Sequence, residues 1–253
     1  MNISYMAVEA GKIILENGGE TYRVEETINL ICQAYNIKNA DSYVTPTGIM
    51  FSAEDEMGNN LSIIKRIKYR TINLEKVSMV NELSRRVQNK ILSTQEFEKE
   101  LEKISSSKSY STLVLVISSS LAAFFFTLLF KGSIYDALVS LIIGAVLRIN
   151  INFSSNYDVN DFFINVIGGI ITSLIALIFC SQFKVLSLDK IMIGSIMPLV
   201  PGVALINSIR DTIEGDLVSG LARALEATLI ALAIAVGTGI VIKLWSFIFG
   251  GIA

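Results

Sequence analysis

The chain has 253 residues, with 21 basic and 23 acidic side chains, no histidine, 52% apolar residues and only 17% charged ones. That charge content lies below the roughly 25% of an ordinary soluble domain. The missing histidine excludes a Ser–His–Asp triad, an imidazole zinc ligand and an imidazole proton relay, while the net charge of −2 leaves no footprint for nucleic acid.

The charges are unevenly spread. Residues 1–110 hold 14 Lys/Arg and 15 Asp/Glu, and residues 111–253 hold only 7 and 8. A charged domain over residues 1–108 is expected ahead of an apolar one over 109–253. The opening MNISYMAVEAGK lacks the basic and apolar regions of a cleavable signal peptide. Residues 3–17 and 21–35 then read as two amphipathic helices parted by Gly18-Gly19, with Val24, Ile28, Ile31 and Tyr35 on one face of the second. Alternation over Tyr43–Phe51, and again at Leu61, Ile63, Ile67 and Tyr69, predicts a hairpin with Pro46 on an edge. Helical spacing returns at Leu74, Val77, Val80, Leu83, Val87 and Ile91. A charged helix opens at 93–103 with Thr94 as its cap, and Ser105–Ser107 form a linker. This half is thus a small α+β domain. Glu20, Arg23, Glu25, Glu26, Thr45, Thr47 and Arg70 could serve a hydrolase site there, or lie on a solvated face. With no GxxxxGK[ST] motif, an ATP-driven motor is excluded.

The second half reads as an α-helical membrane domain. Uncharged runs cover 109–130, 162–183 and 191–209, and at 1.5 Å per residue such lengths cross a hydrocarbon core of about 30 Å. A shorter run between Asp136 and Arg148, and one between Glu226 and Lys243, bring the expectation to about five transmembrane helices: 109–130, 133–148, 162–183, 191–209 and 222–247. Lys99, Lys103 and Lys108 before the first span argue for a cytoplasmic N-terminus. Cys32 and Cys180 fall one in each half without metal-ligand spacing and are expected as reduced thiols; no metal or cofactor is expected.

The polar residues of this half carry the chemistry. Pro198 and Pro201, followed by Gly202, should break the fourth span, either as a plain kink or as the kind of discontinuous helix from which transporters build substrate sites. Asn207, Arg210, Asp211 and Glu214 share a helical face at i, i+3, i+4 and i+7. Asp216, Arg223 and Glu226 form a second stripe entering the last span. Arg223 and Glu226 would be costly in lipid and should face protein or water; the others could equally belong to a wet interfacial loop.

Two stretches are specific: Gly18-Gly-Glu-Thr-Tyr-Arg-Val-Glu-Glu-Thr-Ile28 with Thr45-Pro-Thr-Gly-Ile-Met-Phe-Ser52, and Pro198-Leu-Val-Pro-Gly-Val-Ala-Leu-Ile-Asn-Ser-Ile-Arg-Asp211 running on to Ala227. Together they resemble the threonine/serine exporter family. The resemblance implies a bacterial inner-membrane secondary exporter, not an enzyme, that moves small amino acids or, in some members, dicarboxylates such as succinate. Full-length members have about ten spans, so a chain of five implies the larger subunit of a split pair, with a small separate membrane subunit supplying the rest. Pro198, Pro201, Gly202, Arg210 and Asp211 match the family motif. On the residues, Arg210 or Arg223 would hold a substrate carboxylate, and Glu226 or Asp211 would carry a proton, since no histidine can.

Overall fold

The structure is a computed structural model that describes residues 3–54, 58–107, 110–155, 157 and 159–250. Lys108 and Ser109, at the expected domain boundary, and residues 55–57 of the expected turn lie outside the described residues. The chain divides into two compact units: residues 1–109 with 202–225, and residues 110–201 with 226–253. The first unit thus recruits a segment from the motif-bearing end of the chain.

In the first unit, α1 (Ile3–Glu16) touches α2 (Thr21–Ala34), strands β2 (Gly48–Glu54) and β3 (Asn60–Arg66), α3 (Leu74–Asn89) and α4 (Thr94–Ser106). It is buried at Met6, Ala7, Val8, Ala10, Ile14 and Leu15 among others, while Tyr5, Glu9, Lys12 and Glu16 keep one face open, as expected of an amphipathic helix. Each of its large buried side chains contributes about 1.5–3 kcal/mol by leaving water. Gly11 permits this packing, since a Cβ there would stand 2.8 Å from Ile28. The helix stops at Gly18, whose φ of +90° is open to glycine, and Gly19 N–H closes back on Ile14 O at 2.9 Å.

The sheet is a three-stranded antiparallel meander in the order β1-β2-β3, with β1 at Asp41–Thr45. This corrects the single strand read over Tyr43–Phe51. Thr45 pairs with Gly48, so Pro46-Thr47 is a two-residue turn and not an edge position within a strand. Paired residues share a face of the sheet, so a two-residue turn switches the inward parity, from Val44 on β1 to Ile49, Phe51 and Ala53 on β2. Ile49, Phe51, Ala53 and Ile63 face the core; Ile67 is buried beyond the end of β3, and Tyr69 is exposed. The cap of α4 is Ser93, not Thr94: Ser93 and Glu96 form a reciprocal capping box. Cys32 is buried in this core, where burial pushes its thiol up to about 12.

The second unit holds α5 (Thr112–Leu129), α6 (Ile134–Ser155), α7 (Asp161–Gln182), α8 (Leu188–Ile196) with a 3-10 turn at Met197–Leu199, and the larger part of the 33-residue α10 (Leu217–Phe249). Among the described residues, α5, α6, α7 and α10 are each long and apolar enough to cross a membrane, and a fifth span exists only if Leu188–Leu199 and the following helix α9 (Gly202–Ile213) count as one broken span. The short run between Asp136 and Arg148 becomes a helix of 22 residues. Its entry charge is absorbed by capping: Asp136 accepts from Ser133 N–H and Oγ–H and from Ser187 N–H, each at 2.8 Å. Large apolar side chains such as Phe125, Leu129, Phe163 and Leu232 point outward, as suits lipid and not water.

Helix contacts in this unit run through small residues and hydroxyls, the usual device where lipid supplies no hydrophobic drive between helices. Gly194 of α8 lies against α5 so closely that a Cβ would stand 2.0 Å from Thr127 Oγ1 and 2.6 Å from its Cα. Thr127 also donates to Ser140 of α6 at 2.7 Å. Gly237 of α10 meets Val166 O at 2.1 Å by the same measure. Backbone cannot yield as a side-chain tip can, so Gly194→Ala should destabilise this unit by about 1–3 kcal/mol. A lowered melting temperature of the purified chain in detergent checks this; Gly239→Ala, where a Cβ meets nothing within 4 Å, should leave it unchanged.

Candidate functional site

The site lies within the first unit, where the loop joining α1 to α2 meets α9 and the first turns of α10. α9 ends in a Schellman motif: Gly215 (φ +98°) donates to Thr212 O at 3.2 Å and Asp216 N–H to Asp211 O at 2.8 Å. That tight reversal brings Asp211 of α9, Asp216 of the connection and Arg223 of α10 to one end of the helix pair. Gly220 allows the two helices to close, since a Cβ there would stand 2.9 Å from Ser208 O.

Asp211 is fully buried. Its Oδ1 accepts Thr21 N–H at 3.1 Å, and its Oδ2 stands 2.9 Å from Arg223 Nε, an ion pair whose angle falls short of a hydrogen bond. Thr21 Oγ1 donates to Asp216 Oδ2 at 3.1 Å. Two carboxylates thus sit at the N-terminus of α2, where unpaired N–H groups and the helix dipole favour negative charge. Arg223 is also buried and donates through Nη2 to Gly19 O at 2.8 Å, while Asn207 Nδ2 donates to Gly18 O at 2.9 Å. The Gly-Gly loop presents these two carbonyls because its backbone makes a turn and not a helix. Ser219 of α10 adds a long contact to Val44 O at 3.4 Å.

A second set of charges opens outward. Glu20 Oε2 accepts Arg23 Nε at 2.8 Å, and its Oε1 accepts Arg210 Nη1. Burial pushes the Glu20 carboxyl up, but hydrogen bonds from Arg23, its own backbone and Arg210 outweigh it and hold it below the ordinary carboxylate range. Its folded pKa is therefore below the unfolded one. The stabilisation is complete above the unfolded value of about 4.3 and is lost as pH falls through the folded one. These three residues, with Asn207, Ser78 and Asn81, line a cavity of about 360 Å³.

The expected site residues fare differently. Asn207, Arg210, Asp211 and Arg223 come together here with Glu20 and Thr21. Glu214 is exposed, and Gly202 opens α9 at the surface. Pro198 and Pro201 belong to the second unit, at the 3-10 turn and its exit, and Glu226, half-buried, begins that unit's part of α10. Of the residues weighed for hydrolysis, only Glu20 and Arg23 line the cavity. Glu25 instead accepts Val44 N–H at 2.8 Å, Glu26 is exposed, Thr45 and Thr47 hydroxyls stand 3.4 Å apart at the β1–β2 turn, and Arg70 lines a separate cavity with Tyr69. The contributions of Thr21 and of the Gly18 and Gly19 carbonyls were not foreseen, although both lie in or beside the first specific stretch. Among the described residues, no three Cys, Asp or Glu side chains gather as a metal site.

These features define a multi-pass membrane protein with an added α+β unit. The family model of the threonine/serine exporters, ThrE, matches residues 5–245, and the chain belongs to that family. It is similar to the probable succinate transporter subunit YjjP of Klebsiella aerogenes, 24% identical over 251 residues that take in 96% of this chain and 94% of that one. YjjP of Escherichia coli K12, of the same description, is 22% identical over 251 residues with the same shares. The threonine/serine exporter of Corynebacterium glutamicum is 24% identical over 246 residues, which take in 94% of this chain and 50% of that protein. No solved structure matches the chain.

Two outcomes follow from this geometry. Removing one partner of a buried pair strands the other charge, so Arg223→Met and Asp211→Asn should each destabilise the chain by about 3–5 kcal/mol. The double variant should lose less than their sum, a coupling read from a double-mutant cycle of melting curves. Glu25 behaves oppositely to Glu20: burial pushes its carboxyl up, Val44 N–H pulls it back, and Asp216, Asp41 and Asp211 push it up again. Its folded pKa is above the unfolded one, so its favourable contribution is present below the unfolded value and lost as pH rises through the folded one. Glu25→Gln keeps an acceptor for Val44 and should raise the melting temperature at pH 7 but not at pH 4.

Proposed function

We propose that the chain is a subunit of a secondary exporter in the bacterial cytoplasmic membrane. It moves a small carboxylate-bearing metabolite outward, a hydroxy amino acid such as threonine or serine or a succinate-like dicarboxylate, coupled to proton flow. Family membership and the names of the relatives support export as the activity. The match to half of the Corynebacterium exporter supports a separate membrane subunit that supplies further spans. Residues 1–108 form the cytoplasmic domain, with Lys99 and Lys103 on the cytoplasmic side of the first span.

The observation that carries the reading is the contrast between the two arginines. Arg223 is buried and committed to Asp211 and the Gly19 carbonyl, whereas the Arg210 side chain is 53% exposed and borders the cavity. Arg210 is therefore the guanidinium that receives a substrate carboxylate, in the bidentate geometry that suits the pair. The proton falls to Glu226. Both partners of the Asp211 carboxylate are donors, Thr21 N–H and the Arg223 guanidinium, and they leave a protonated carboxyl nothing to donate to. The break at Pro198–Gly202 joins this apparatus to the membrane helices through α9.

Vesicles carrying the chain and its partner subunit, loaded with labelled serine, threonine or succinate, should export at least one of them, and the chain alone should not. Arg210→Ala should lower the initial rate at least tenfold. Full export by an Arg210→Ala/Arg223→Ala variant would remove the site.

A further inference from the structure

Glu20 has no part in the export reading, yet its position is unusual. Its side chain is only 8% exposed, and each carboxylate oxygen takes a guanidinium, Arg23 on Oε2 and Arg210 on Oε1. The arginines come from different places: Arg23 stands one turn along α2, and Arg210 stands on α9. Neither guanidinium is used up by this contact. Arg23 is 29% and Arg210 53% exposed at the side chain, and both border the cavity of about 360 Å³. Of the residues lining that cavity, Glu20, Arg23 and Arg210 are the charged ones, which leaves its wall with one positive charge in excess. Its size is at the small end of ligand pockets, which run about 300–1,000 Å³. Asn81, Ser78 and Asn207 add amide and hydroxyl groups to the wall, suited to the hydroxyl, ammonium or second carboxylate of a metabolite of a few carbons.

We propose that Glu20 is a built-in competitor for substrate. Its carboxylate occupies the place between Arg23 and Arg210 that a carboxylate of the incoming metabolite takes, and loading the cavity displaces it. Arg210, the more exposed of the two and carried on α9, is released from Glu20 first. Loading therefore undoes one of the ties that hold α9 on the Gly18–Thr21 loop, while the buried Asp211 contacts stay made. A tethered carboxylate keeps both guanidiniums paired in the empty state and sets a threshold of ligand concentration, because the ligand binds only as far as it outcompetes Glu20. This inference rests on the export reading for the choice of ligand.

The test is calorimetric titration of the full-length chain in lipid nanodiscs with sodium succinate and with L-serine, and with inorganic phosphate as an anion of different shape. Glu20→Gln should bind succinate or L-serine at least tenfold more tightly than the unaltered chain, and Arg23→Ala and Arg210→Ala at least tenfold more weakly. Phosphate should show no such ordering. If Glu20→Gln proves unstable, Ser78→Trp serves instead: it fills the cavity without touching the Glu20 pairs and should abolish binding. Equal affinity in Glu20→Gln, or binding retained in Ser78→Trp, would overturn the proposal. Vesicle export run in parallel separates the two readings. Tighter binding by Glu20→Gln without export of any solute keeps the site and removes transport, whereas export with no variant changing affinity removes the site and keeps transport.

Discussion

A carboxylate sealed from water has to be met by donors, and the buried Asp211 imposes that condition on the first unit. It is met by Thr21 N–H from the start of α2 and by the Arg223 guanidinium from α10, so α2 must meet two consecutive helices far along the chain for one side chain to be tolerated. The Schellman turn at Gly215 makes the convergence possible by reversing the chain between Asp211 and Arg223 within a few residues. The Gly18-Gly19 loop completes it by offering carbonyls to Arg223 and Asn207 that a continuous helix would have kept for itself. Loss of any one of these features takes a partner from a buried charge or backbone group.

The same logic gives Glu20 and Arg210 a different character. Their contact lies beside the buried pair but borders the cavity: Glu20 is itself only 8% exposed, whereas Arg210 is 53% exposed and open to a solute there. An inner pair that is expensive to break and an outer pair that is cheap to exchange are arranged on the same α9 helix. That division lets α9 stay anchored while its exposed cation changes partners. In the second unit α5, α6 and α8 approach closely through hydroxyls and glycine, as Thr127, Ser140 and Gly194 show, and the buried Asp136 is tolerated because three donors meet it.

Particular residues show how far the sequence could be read. The charge division, the long apolar helices and the helix break at Pro198–Pro201 were legible because each is a property of a local run. The turn at Pro46-Thr47 was not, since a single alternation over Tyr43–Phe51 keeps one parity throughout, whereas the pairing of Val44 with Ile49 puts even positions of β1 and odd positions of β2 on the core face. Periodicity showed that helix α1 is amphipathic, with Tyr5, Glu9, Lys12 and Glu16 on its open face, but not which elements cover the apolar one. The spacing of Asn207, Arg210 and Asp211 correctly placed them on one helix, but nothing local could reveal that Gly18, Gly19, Glu20 and Thr21 lie opposite. Both specific stretches were visible, and only their separation by some 190 positions hid that Gly18, Gly19 and Thr21 of one meet Asn207, Asp211 and Arg223 of the other.

The sequence by itself determined the two kinds of solvent this protein meets, which helices are long enough for a membrane, and which residues are too costly to leave unpaired. Those follow from composition and period, which need no partner to be read. Only the tertiary structure decided which carboxylate pairs with which guanidinium. Pairing depends on two chain segments meeting in space, and an ion pair leaves no trace in the spacing of either. Hence Arg210 and Arg223, alike as sequence symbols, become an exposed cation beside a cavity and a buried one committed to Asp211.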